Sequence, residues 1–138
     1  MFDITSEAVQ DTATLNLSRA NGSPMIGEDG KRASITLCGP GSRTYLQAEA
    51  ETRRRARAKV DQAGGRITAA MDGTDEDEAD FLAAITVSFN NFTYPEPEGV
   101  KFKTKREQYV AFYMDDTLGY LHEQVQKFRA DWGNFAKG

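Results

Sequence analysis

Six carboxylates crowd one short stretch of this chain, Asp72, Asp75, Glu76, Asp77, Glu78 and Asp80, and such a density of oxygen ligands is what a hard divalent cation requires. The spacing is wrong for a calcium hand, which needs a twelve-residue loop with a central glycine and a terminal glutamate. The stretch also coincides with a helix start, where acid offsets the partial positive charge of unpaired amides. Helix capping explains the run, with an electrostatic docking surface as the second role. A basic run, Arg53-Arg54-Arg55-Ala56-Arg57-Ala58-Lys59, has the charge to hold phosphates. It carries no interleaved aromatic residue for base stacking and no helix-turn-helix or zinc-finger spacing. It reads as a solvated or protein-docking helix face.

Nucleophiles are as sparse as ligands. Gly39-Pro40-Gly41-Ser42 has the small residues of a phosphate loop but lacks the lysine and second glycine at their required spacing, so it reads as a strand-to-helix turn. Ser42 has no nucleophile-elbow flanks, and the lone His122 lies far along the chain beside an apolar helical position. Cys38 is the only cysteine, which rules out an internal disulfide; with one histidine, most zinc sites and a thiol-protease pair go too. The expectation is a protein that is not an enzyme, with no cofactor, no metal and no catalytic residue.

The net charge of -4 supplies no field for nucleic acid or an anionic membrane. No run of about 18 apolar residues offers a membrane span, and MFDITSEAVQDTATL has neither the basic nor the apolar region of a signal peptide. Cytoplasm is the expected location.

The elements follow from spacing. Alternation at Thr12 to Leu17 and again at Ala33 to Cys38, separated by Asn21-Gly22 and Asp29-Gly30, predicts two strands joined by a polar loop. Ser42 caps a helix expected from about 43 to 63, whose thin apolar stripe is Tyr45, Leu46, Ala48, Ala56 and Val60. A linker is expected over 66–73, with β character at Ile67-Thr68. A second helix begins at Thr74, carries Phe81, Leu82, Ile85, Phe89 and Phe92 on one face, and stops at Tyr94-Pro95. Thr104 and Glu107 form a capping-box signature for a helix from 105 to about 114. Asp115-Asp116-Thr117 then caps the last helix, 118 to about 132, with Leu118, Leu121, Val125, Phe128 and Trp132 along one face and Phe135 just beyond. The fold class is α+β, an N-terminal β hairpin or small sheet followed by a bundle of about four α-helices. It makes one domain over 1–138, with a flexible N-terminus at 1–11, a β portion at 12–41 and a helical portion at 42–135. The predicted core is Phe81, Ile85, Phe89, Tyr109, Tyr113, Leu121, Val125 and Phe128.

Partners are the remaining use for the surface. Trp132 and Phe135 either pack inward on a core helix or act as aromatic anchors in a partner's groove. Arg53, Arg54, Arg55 and Arg57 offer charge matching, including intermolecular pairing with the acidic helix start and hence salt-sensitive assembly. The edge of the hairpin is the first place to expect self-association into a homo-oligomer.

Three passages carry a family resemblance: Gly22-Ser23-Pro24-Met25 followed by Ala33-Ser34-Ile35-Thr36-Leu37-Cys38-Gly39-Pro40-Gly41-Ser42; Phe81-Leu82-Ala83-Ala84-Ile85-Thr86; and Glu123-Gln124-Val125-Gln126-Lys127-Phe128 through to Asn134-Phe135. In their order they resemble the tail assembly chaperones encoded among the tail genes of tailed bacteriophages. The resemblance implies a protein of the bacterial host's cytoplasm that coats the long, hydrophobic tape-measure protein and brings tail-tube subunits to it. Many such proteins are made in two lengths by frameshifting and are missing from finished particles. The alternative is a structural virion component of the tail or head-tail junction.

Overall fold

The computed structural model describes residues 1–62 and 74–137. The linker expected over 66–73, the glycine pair 64–65 and Asp72 lie outside the described residues. Strands β1 (Thr12–Asn16), β2 (Ser34–Cys38) and β3 (Thr86–Asn90) form one antiparallel sheet in the order β1-β2-β3. Among the described residues four α-helices accompany it: α1 (Arg43–Gln62), α2 (Thr74–Ile85), α3 (Lys105–Met114) and α4 (Gly119–Ala130). The fold is α+β.

The hairpin forms as its turn chemistry requires. Gly22 and Gly30 take positive φ (88° and 77°), where a side chain would strain the backbone, and the Asn21 carboxamide oxygen accepts from the Ser23 amide (3.0 Å). Thr12 to Asn16 of β1 pair with Cys38 to Ser34 of β2 in unbroken register. Ser42 caps α1 as expected, accepting from the Tyr45 amide (3.2 Å) while donating to the Gly39 carbonyl (2.8 Å). The capping box of α3 is complete: Thr104 and Glu107 each bond the other's backbone amide.

Three expectations need correction. The second helix does not continue to Tyr94; it stops at Ile85, and the next residue begins β3. The hairpin thereby gains a third strand from within the segment expected to be helical, antiparallel to β2, with a register irregularity opposite Thr36/Leu37. Thr86 and Val87 are β-branched and suit a pleated surface, and pairing with β2 outweighs the helical spacing of Phe89 and Phe92. The strand ends at Asn90, and the φ of 63° at the next residue, Asn91, departs from extended backbone. The last helix likewise ends early, at Ala130. Asp131 accepts from the Gly133 amide (2.9 Å) and caps a separate 3-10 turn, Trp132–Phe135. Asp115, expected to cap the last helix, caps another 3-10 turn, Asp116–Leu118, through the Thr117 amide; α4 has no side-chain cap.

The core lies between the sheet and the helices. Of the predicted core residues, Phe81, Ile85, Tyr109, Tyr113, Leu121 and Val125 are buried, and Phe89 and Phe128 are half-buried against them. Leu17, Ile35, Leu37, Leu82 and Phe112 are buried with them. Phe112 sits at the centre of a ring cluster, with centroids of Phe89 and Tyr113 at 5.0 Å, Tyr94 at 5.9 Å and Phe92 at 6.1 Å.

One polar node penetrates this core. The Thr86 hydroxyl donates to the Leu82 carbonyl (2.7 Å), which leaves its oxygen to accept from the Tyr113 hydroxyl (2.8 Å). Burial drives the Tyr113 pKa far above the ordinary tyrosine value, so the hydroxyl keeps its proton and donates. Replacing Thr86 by Val strands the Tyr113 hydroxyl without its partner and is expected to cost about 1–3 kcal/mol of unfolding free energy in urea titration. Thr86→Val combined with Tyr113→Phe removes both polar atoms and should recover a large part of that loss.

Candidate partner-docking surface

The basic run on α1 does not act as one patch, because a helix distributes consecutive residues around its axis. Arg55 and Lys59, one turn apart, both face α2: Arg55 pairs with Asp80, and Lys59 Nζ lies 2.6 Å from Asp77 Oδ2. The pairing expected between molecules is therefore made within one. The Asp80 hydrogen bond pushes the Arg55 pKa upward. Both pairs are partly shielded, and they clamp the two long helices side by side. Arg54 pairs with Glu51 (2.6 Å) on the solvent side of its own helix. Arg53 and Arg57, also one turn apart, form no ion pair among the described residues and remain exposed. Arg53 borders a shallow cleft of about 220 Å³ with Glu49, Thr52, Phe81 and Arg129.

Arg129 gave no signal in the sequence, since a single cation on a helix is unremarkable there. Its guanidinium stands 4.9 Å from the Phe81 ring centroid and donates to the Tyr45 hydroxyl (2.8 Å), joining α4 to α1 and α2.

The two C-terminal rings part company. Phe135 is fully buried (0% exposed) and stands 5.6 Å from the Phe128 ring in an edge-on pair, so it is a core residue and not an accessible anchor. Trp132 remains 55% exposed. Both lean on the Gly39-Pro40-Gly41 turn. A Cβ at Gly39 would come within 2.6 Å of the Phe135 ring, and one at Gly41 within 3.3 Å of the Trp132 indole and 3.0 Å of Val9. The glycines are there because two rings lie against them, which is the structural content of a passage that resembled a phosphate loop. The benzo edge of the Trp132 indole thus lies beside Gly41, and more than half of the residue is open to solvent.

The acidic helix start contributes to a separate cleft of about 480 Å³ between α2 and α4, floored by Ala79, Leu82, Tyr113 and Met114 and edged by Asp75, Glu78, Asp116 and Glu123. Among the described residues, no group of three or more His, Cys, Asp or Glu side chains is arranged to hold a metal. His122, which also lines it, is half-buried, with its ring against Phe112 and Tyr113 and Nε2 2.7 Å from the Phe112 carbonyl. A carbonyl can only accept, so Nε2 carries the proton. Burial lowers the His122 pKa, partly offset by the Phe112 carbonyl and by Asp115, Asp116 and Glu78. Cys38 is buried, and desolvation raises its pKa, the opposite of what a nucleophilic thiol needs. No helix is long and apolar enough to cross a membrane among the described residues.

The chain matches no known family model, no curated protein and no solved structure.

Two expected outcomes follow from this geometry. Because the folded His122 pKa lies below its unfolded value near 6.5, the unfolded chain takes up the proton first. Stability should fall as pH drops through about 6.5 toward the lower folded value, and His122→Gln should flatten that part of a pH series of denaturant midpoints. Phe135→Ala, a truncation in the core, should cost about 3–5 kcal/mol in the same titration.

Proposed function

We propose that this protein is a tail assembly chaperone of a tailed bacteriophage: a non-catalytic module that covers apolar stretches of the tape-measure protein and brings tail-tube subunits to it. The observation that supports this most is Trp132, a large amphipathic ring that lies beside the Gly41 turn and remains 55% exposed, the residue type most often found as an interface anchor. Arg53 and Arg57, exposed on α1 and in no ion pair among the described residues, add charge matching for a partner with acidic flanks. Binding energy comes from apolar area removed from water, about 25 cal/mol per Å², less the cost of ordering both partners. The action is transient shielding, without ATP and without covalent chemistry, in the host cytoplasm.

Co-expression with the neighbouring tail-gene products tests the reading. The tape-measure protein should be retained with the wild-type chain, and Trp132→Ala should weaken its capture by about 30-fold, the measure of a 2 kcal/mol hot spot, while leaving the melting temperature nearly unchanged. A wild-type chain that stays soluble and retains neither tail product rejects the chaperone reading. Stoichiometric recovery in purified particles would make it a virion component instead.

A further inference from the structure

The carboxylates at the start of α2 divide between two neighbours. Asp77 and Asp80 face α1 and pair with Lys59 and Arg55. Asp75 and Glu78 instead edge the cleft between α2 and α4, where Asp116 and Glu123 join them. These four are exposed and in no ion pair among the described residues. Glu78 accepts from the Gln126 carboxamide, and Lys127 is the one cation among the described lining residues. Helix-end electrostatics account for Asp75. They do not account for Glu78, which lies beyond the first turn, or for Asp116 and Glu123, which come from other elements. The floor beneath is apolar, with Leu82 and Tyr113 buried and Met114 44% exposed. The outer face of α1 has the complementary make-up. Leu46, Ala50, Arg53 and Arg57, spaced by four, three and four, share one face of the helix. Leu46 is 52% exposed, and both arginines are exposed and in no ion pair among the described residues. Arg55 and Lys59, on another side of α1, hold α2, and the cleft opens on the side of α2 away from α1. One molecule therefore cannot lay this face in its own cleft.

We propose that the cleft receives the outer face of α1 from a second copy of this chain, in a head-to-tail contact. Charge selects this occupant: a rim with an excess of carboxylates around an apolar floor meets a helix face that offers one apolar side chain followed by two cations. Geometry selects the antiparallel sense of α1 against α2. Seven residues separate Leu46 from Arg53 and seven separate Leu82 from Asp75, about 10 Å along either helix. With Leu46 over the floor at Leu82, Arg53 comes to Asp75 and Glu78. Side chains lean toward the N-terminus of their own helix, which in this sense brings Arg57 back toward the same carboxylates. In the parallel sense both arginines would pass the end of α2 at Ile85 and leave the carboxylates behind. The hairpin edge is a poorer site for a copy. The Phe135 carbonyl takes the Gln10 amide (2.7 Å), and the Gln124 carboxamide bonds both backbone groups of Ser18 (2.9 Å each), so only a short window stays open between them.

Sedimentation velocity of the full chain over a concentration series is the test, with thermal melting of each variant to establish that it folds. A contact between two different surfaces does not close at two copies, so the wild type should grow beyond dimer and dissociate as salt is raised. Leu46→Glu, which spoils the α1 face, and Asp75→Lys with Glu78→Lys, which spoils the cleft, should each weaken association at least about tenfold. Mixed in equal amounts, these two variants have one intact α1 face and one intact cleft between them. They should form a one-to-one dimer that grows no further. Arg53→Glu with Arg57→Glu should also lose association, and a chain carrying Asp75→Lys and Glu78→Lys as well should regain it. A wild type that remains monomeric throughout, a spoiled variant that associates as well as wild type, a mixture that stays monomeric or grows as wild type does, or a charge-swapped chain that fails to recover overturns the proposal. Every arm uses this chain alone and Trp132 lies on neither surface, so failure here and failure of the chaperone reading are distinguishable.

Discussion

The arrangement of this chain turns on a join with no loop. Ile85 closes α2 and Thr86 opens β3, so the direction in which α2 leaves the sheet is fixed by the backbone geometry at one peptide. A connector of several residues would let a helix choose its angle; here the angle is set, and the neighbours must fit it. The Thr86 hydroxyl makes the join tolerable. By bonding the Leu82 carbonyl it satisfies an acceptor freed where the helix ends, and by accepting from Tyr113 it ties α3 to the same point. Three elements are thus located by one buried oxygen.

From that point the remaining parts are placed by burial and by charge. The ring cluster around Phe112 draws β3, α3 and the 92–94 segment together through edge-on and tilted contacts, which aromatic quadrupoles prefer to direct stacking. On the other flank, α1 is held to α2 by Arg55 with Asp80 and Lys59 with Asp77, and to α4 through Tyr45 and Arg129. Partly shielded pairs of this kind set alignment more than they add stability. α1 carries too few apolar residues to fix its own rotation by burial alone. Charge on one side and Tyr45 with Ala48 on the other share the task.

What could be read in advance was whatever local chemistry decides. The Asn21-Gly22 and Asp29-Gly30 turns, the Ser42 cap and the Thr104/Glu107 box depend on residues within a few positions of each other, and each formed as its sequence implied. β3 was not legible because its residues satisfy two patterns. Phe81, Ile85, Phe89 and Phe92 fit a helical stripe, yet Phe89 meets the same apolar environment as a strand residue opposite Ile35. Only a partner strand 50-odd residues away along the chain decides between them, and a single sequence does not display that partner. The arginine run failed for a related reason. Four basic residues in five positions look like a patch in one dimension, and the helix sends them to opposite sides.

Trp132 and Phe135 show the same limit at the scale of the surface. Spacing placed both at the end of an apolar face, which favours inward packing and leaves docking as the second option. A short turn begun by Asp131 separates them from α4 and carries both against the Gly39-Pro40-Gly41 turn. There the available depth decides. Gly39 lies under the core and admits Phe135 completely, while Gly41 lies at the rim beside Val9, where Trp132 can rest but not enter. The Phe135 carbonyl then closes the β1 edge at Gln10. One four-residue turn therefore fills the core, presents the exposed indole and marks one end of the open strand edge. The exposed indole and the end of the strand edge are consequences of how the chain seals its interior.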